Sequence, residues 1–192
     1  MLEDVGKPQR VFARICKRVG IRAAKRADAA GILEIYAPFV RTPVTFEAQA
    51  PSVPEMRKRI ADYSRRYAWL VCEDERGLLG YAYGSDHRSR AAYRWCAETS
   101  IYVAARARRK GVARALYRRL FAELKRRGLH NLYAGIALPN KASVAFHEAL
   151  GFKLIGVYKA VGYKLGRWHD VGWWQLRINR PRAPRRLPAT GA

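Results

Sequence analysis

Residues 98–127 read ETSIYVAARARRKGVARALYRRLFAELKRR. The run Glu98 to Val103 has the β-branched and aromatic content of a strand, and Gly111 to about Arg127 reads as a helix. Between them lies Arg108-Arg-Lys-Gly-Val-Ala113. Small residues opening a helix leave backbone N–H groups unpaired at the positive end of the helix dipole, which suits a pyrophosphate. Arg108, Arg109, Lys110 and Arg114 add charge there. The spacing is neither GxxxxGK[ST] nor GxGxxG, so the P-loop and the dinucleotide fingerprint are excluded. On these residues alone a basic helix start is more often an ordinary solvated face, and both readings stand at this point.

Outward from this stretch the periodicity changes repeatedly. Toward the N-terminus, Trp69 to Cys72 and Leu78 to Tyr83 are strand runs joined by the turn Asp74-Glu-Arg-Gly77. Ser52-Val-Pro-Glu55 is a capping box with proline in the first turn, followed by Met56, Ile60 and Tyr63 at helical spacing. Asp28 is placed to cap a helix through Ile32, Ile35 and Tyr36 that stops near Pro38, and Ile21 to Ala24 can open a strand. Toward the C-terminus come a strand from Leu132 to Leu138, a short helix from Lys141 to Leu150, and strand-like sequence from Leu154 to Ile178. The order predicts an α/β (α+β) domain, a mixed sheet with helices on both faces.

The chain has 192 residues, enough for one ordinary domain. Apolar residues make up 49%, which argues against a disordered scaffold. No apolar run approaches the roughly 18 residues that cross a bilayer, and the first ten residues are polar, so a soluble, unexported protein is expected, with no membrane partner. Cys16, Cys72 and Cys96 stand far apart with no metal-ligand or disulfide spacing, which fits a reducing cytoplasm and no metal. The charge is the outlier: 38 basic residues against 15 acidic give +23, attractive to nucleic acid, anionic lipid or phosphorylated small molecules alike. Residues 1–20 read as a basic N-terminal arm, residues 21–178 as the domain, and residues 179–192 as a Pro/Arg-rich tail. The tail holds LPATG at 187–191, the short sortase pattern, but the flanking signals such anchoring needs are not seen.

Several words together carry a resemblance: Glu98-Thr-Ser-Ile-Tyr-Val103, the R-x-x-G-x-A element, Asn140, and His147-Glu-Ala-Leu-Gly-Phe152. With WLVCE, YRWCAETSIYV and GYKLGRWHDVGWWQL, the chain resembles the GNAT superfamily of N-acetyltransferases, and within it the enzymes that acetylate phosphinothricin and methionine sulfoximine. The resemblance implies the GNAT fold: a mixed, mostly antiparallel sheet in which a pair of parallel strands splays apart. It implies acetyl-CoA as acetyl donor and no metal. Ile101, Tyr102 and Val103 would pair with the pantetheine arm, the N–H groups of Arg109, Lys110, Gly111, Val112, Ala113 and Arg114 would hold the pyrophosphate, and Asn140 would contact the cofactor or cap its helix. Glu98 matches the family's general base. His147 stands where many relatives have tyrosine, and either serves the departing thiolate or packs on the helix face. Phe46 aligns with an aromatic wall, and Arg88, Arg90 and Tyr93 with a loop that binds an anionic amino acid.

The resemblance thus implies direct acetyl transfer to the α-amine of a small amino-acid-like substrate, by a cytoplasmic homodimer serving resistance or metabolism. Acetylation of another amine is the alternative, and a nucleic-acid-binding role on the same scaffold, suggested by the charge, is the least favoured.

Overall fold

The computed structural model describes residues 19–180, and most of the basic arm and of the Pro/Arg-rich tail lie outside the described residues. Strand β1 (Gly20–Ala23) is followed by helices α1 (Ala29–Val40) and α2 (Val53–Arg66). Next come β2 (Trp69–Asp74), β3 (Gly77–Asp86) and β4 (Cys96–Val103). Then α3 (Val112–Arg126), β5 (Asn131–Leu138) and α4 (Lys141–Glu148) precede the hairpin β6 (Lys153–Lys164) and β7 (Arg167–Arg177).

The seven strands form one sheet in the order β1-β2-β3-β4-β5-β7-β6. Every neighbouring pair is antiparallel except β4 with β5. The period of two along β2 shows why both faces are covered. Leu70 and Cys72 point into a core filled by Leu116, Tyr117, Leu120 and Leu124 of α3. Trp69 and Val71 point the other way, against Ile32 and Ile35 of α1 and Met56 and Ile60 of α2. Leu116, Leu120 and Leu124 recur every fourth residue and are fully buried, each contributing about 1.5–3 kcal/mol.

The element ends differ from the sequence reading in instructive ways. Asp28 stands at the α1 N-terminus but does not cap it; its carboxylate accepts from Lys25 N–H and pairs with Arg22. Helix α1 ends at Val40, with Pro38 inside its last turn. Ser52 Oγ does accept the Glu55 N–H at 3.3 Å, but the reciprocal arm is diverted because Glu55 pairs with Arg59. Two flanking residues also touch the domain. Gly20, expected in the arm, pairs with Glu73, and Asn179, expected in the tail, donates its amide to Leu129 O.

Candidate active site

Strands β4 and β5 share only three rungs: Cys96 with Asn131, Ala97 with Leu132 and Glu98 with Tyr133. Beyond Glu98 each strand keeps its outer neighbour, β4 pairing with β3 through Val103 and β5 with β7 through Leu138. The two strands therefore fork. Thr99 closes the crotch, its hydroxyl donating to Tyr133 O at 3.3 Å. Past it, Ile101, Tyr102 and Val103 are half-buried along an edge that has lost its ladder to β5. Backbone N–H and C=O groups on such an edge require partners, which an extended polar ligand can supply.

Helix α3 starts soon after β4 ends, and the connection is shaped for close approach. Arg109 (φ 60°) and Gly111 (φ 81°) both adopt left-handed backbone and bracket Lys110. Consecutive N–H groups in such a turn form an anion-binding concavity at the helix start. The side chains of Arg108, Arg109 and Lys110 are exposed, while Arg114 is half-buried. Asn140 caps α4, its Oδ1 accepting Ser143 N–H at 3.1 Å, so the capping role weighed from sequence is present.

Glu98 lies at the base of the fork with its side chain 30% exposed. Burial disfavours the carboxylate and pushes its pKa up to about 7, partly offset by the Arg88 guanidinium. Its Oε1 lies 3.2 Å from His87 Nδ1, and the His87 ring stacks on Tyr133 at 4.0 Å between centroids. Burial, and secondarily Arg88, lower the His87 pKa.

The remaining predicted residues fall in two places. His147 is 4% exposed, in the core between α4 and α3. Its Nδ1 lies 2.8 Å from Ser143 O, so that nitrogen carries the proton, and Nε2 lies 3.2 Å from the Tyr117 hydroxyl. Burial lowers its pKa. His147 thus packs between α4 and α3 with both ring nitrogens in contact with polar partners. Arg88 reaches Tyr158 Oη at 3.4 Å and lies over the Trp173 ring. Arg90 is exposed and opens the short turn Ala91–Tyr93; the Tyr93 ring stands 6.2 Å from His87. Phe46 lies against Gly162 of β6 and 6.1 Å from the His169 ring. Strand β6 thus carries both groups, Arg88 at Tyr158 and Phe46 at Gly162.

Two features escaped the sequence reading. One is His87, whose partners are on β4 and β5. The other is Lys164, whose ammonium donates to Val40 O, Thr45 O and Glu47 O at 2.6–2.8 Å and so fixes the segment that carries Phe46. Among the described residues no group of three or more His, Cys, Asp or Glu side chains could hold a metal ion, and no helix is long and apolar enough to cross a membrane.

Residues 21–173 match the acetyltransferase (GNAT) domain family. The chain is 39% identical over 170 residues to phosphinothricin N-acetyltransferase of Streptomyces viridochromogenes, covering 87% of this chain and 92% of that protein. It is 37% identical over 168 residues to the L-methionine sulfoximine/L-methionine sulfone acetyltransferase of Salmonella typhimurium, covering 85% and 97%. Among solved structures, a GNAT superfamily phosphinothricin acetyltransferase from Sinorhizobium meliloti in complex with AcCoA superposes with a TM-score of 0.79 at 39% identity, covering 83% of this chain and 88% of that one.

Proposed function

Because the chain belongs to the GNAT acetyltransferase family, we propose that it acetylates the α-amine of a small amino-acid-like substrate such as phosphinothricin or methionine sulfoximine, with Glu98 as general base. It is an N-acetyltransferase, and acetyl-CoA is its acetyl donor. The observation that carries the assignment of Glu98 is its place at the base of the fork, half-buried, with a pKa pushed up to about 7.

The residues present fit the donor: an unpaired β4 edge for an extended polar arm, and a left-handed turn of N–H groups at α3 for phosphates. Ile101, Tyr102 and Val103 would hold the arm. Arg109 to Arg114 would hold the pyrophosphate, and Asn140, at the far strand of the fork, would meet the donor beside its cap. When bound, acetyl-CoA supplies an acyl carbon activated as a thioester.

An α-ammonium with a pKa of roughly 8 is mostly protonated at neutrality and has no lone pair for attack. Glu98 takes one N–H proton, directly or through a water; the freed nitrogen attacks the thioester carbon, and collapse of the tetrahedral adduct breaks the C–S bond, the second N–H proton passing through solvent to the departing thiolate. N–H groups of the β4 edge stabilise the charge that develops on the carbonyl oxygen. We read His147 as structural: it packs against Tyr117, whose hydroxyl lies 3.2 Å from its Nε2 and 3.4 Å from Thr99 O beside the crotch. Arg88 and Arg90 meet the substrate's acidic groups, Tyr93 flanks them, and Phe46 supplies the apolar wall.

Leu154, Ile155, Val161 and Tyr163 of β6, Leu165 of the following turn and Trp168 of β7 are exposed apolar side chains, which supports a homodimer. We read residues 21–178 as the catalytic domain, the arms as accessory, the location as cytoplasmic, and the role as resistance through detoxification of an amino-acid analogue. Release of free thiol from acetyl-CoA, measured against a panel of amino acids and other amines, tests the substrate class. Highest kcat/KM for phosphinothricin or methionine sulfoximine is expected, and preference for a polyamine or a peptide terminus would overturn it.

A further inference from the structure

We propose that His87 is a positioning residue for Glu98: it donates its Nδ1–H to Oε1 and leaves Oε2 as the oxygen that meets the amine. The inference rests on the reading of Glu98 as base and deepens it.

The geometry comes from four strands. Ser85 and Asp86, the last residues of β3, pair with Glu98 and Ala97, so His87 leaves the sheet directly beside the carboxylate. Its ring then crosses the β4 strand and stacks on Tyr133, the residue opposite Glu98 in β5, at 4.0 Å and 11° between planes. The Trp173 ring of β7 meets it edge-on at 5.9 Å. Held from both sides, with 12% of the side chain exposed, the imidazole has little rotational freedom, and Nδ1 stays 3.2 Å from Oε1. An ionised carboxylate has only acceptors, so the contact selects the tautomer with the proton on Nδ1.

The groups that face His87 are few. Glu98 faces it from β4, Tyr133 from β5, and Arg88 and Tyr93 from its own loop; Trp173 does not titrate. Asp86 is turned away, bonded to Arg66 and the Tyr67 hydroxyl. A donor aimed at one carboxylate oxygen favours the ionised form and fixes its rotamer, both of which a base for a weakly acidic ammonium requires.

Two variants separate this role from packing. His87→Phe keeps the stack on Tyr133 and removes the donor; His87→Asn keeps a donor near the Nδ1 position and loses the stack. For His87→Phe we expect the acid limb of kcat/KM and the Glu98 carboxyl titration followed by ¹³C NMR to move up together by about one pH unit, since a lost hydrogen bond to a charged group is of that size. KM for acetyl-CoA should stay unchanged, and His87→Asn should bring both titrations back toward wild type. An unmoved NMR titration in His87→Phe, or an Asn variant that behaves like Phe, overturns the proposal while leaving Glu98 as base. Full activity of Glu98→Gln with an unaltered pH profile would instead overturn the base assignment itself.

Discussion

Glu98 and Tyr133 are the last residues that β4 and β5 hold in register. On one side of this pair the sheet is continuous; on the other it opens. The carboxylate thereby sits where backbone geometry is best determined, beside the edge proposed to receive the thioester. The backbone position of Glu98 is inherited from the ladder and does not depend on a loop.

Replacing Glu98 by glutamine keeps the shape and removes the proton acceptor. Turnover should fall by ~10²–10⁴-fold with acetyl-CoA affinity unchanged. In the parent enzyme kcat/KM should rise with pH through about 7, because the base works only when ionised. A rate independent of pH between 6 and 8 would place the base elsewhere.

The same substitution should affect stability in the opposite direction. The Glu98 pKa is raised from 4.5 unfolded to about 7 folded, so the native state retains a proton that the unfolded chain has released. Stability contributed by the protonated carboxyl is complete below pH 4.5, declines as pH rises toward 7, and is absent above. Glu98→Gln escapes this loss. Thermal melts should show the variant gaining on the parent between pH 4.5 and 7, with a constant advantage at higher pH.

Gly111→Val should weaken acetyl-CoA binding in calorimetry, because a branched side chain cannot readily adopt φ 81° and would also crowd the N–H groups. The left-handed backbone adds roughly 1–2 kcal/mol of strain, so the melting temperature should fall by a few degrees as well. Unchanged affinity would remove the loop from the donor site.

His147→Phe removes both hydrogen bonds of a buried imidazole and leaves Ser143 O and the Tyr117 hydroxyl without those partners. A loss of about 1–3 kcal/mol in denaturant unfolding is expected, with near-normal turnover per folded molecule. A large fall in kcat at unchanged stability would restore the thiolate role.

Arg90→Ala should raise KM for phosphinothricin more than KM for acetyl-CoA, since Arg90 stands on the exposed loop beside His87 and far in sequence from the α3 turn. Equal effects on both would assign this cation to the wrong ligand.

Much of the fold was legible because its signals are local. The unbroken apolar run Trp69 to Cys72 fits a strand covered on both faces, and Ser52 with Pro54 marks the start of α2. The turn before α3 was legible for the same reason, as Gly111 at a helix start marks a left-handed backbone position. What failed was competition for side chains. Asp28 and Glu55 are correctly placed caps whose carboxylates are drawn off by Arg22 and Arg59. In the site, Glu98 was readable from a family word, whereas His87 and Lys164 take their meaning from segments that only the folded sheet brings near. A lone histidine before a basic loop carries no mark that it will reach across one strand to stack on the next.

The fork also bears on what the protein is without its donor. Three rungs join the β1–β4 half of the sheet to the β5–β7 half, while α3 packs against residues of both. A ligand lying between the strands acts as a missing structural member, tying the halves together as it binds. Donor and scaffold then share one free energy: at a hundred times its dissociation constant, such a ligand adds about 2.7 kcal/mol to stability. On the proposed placement of the donor, the enzyme is most rigid when it is charged for reaction.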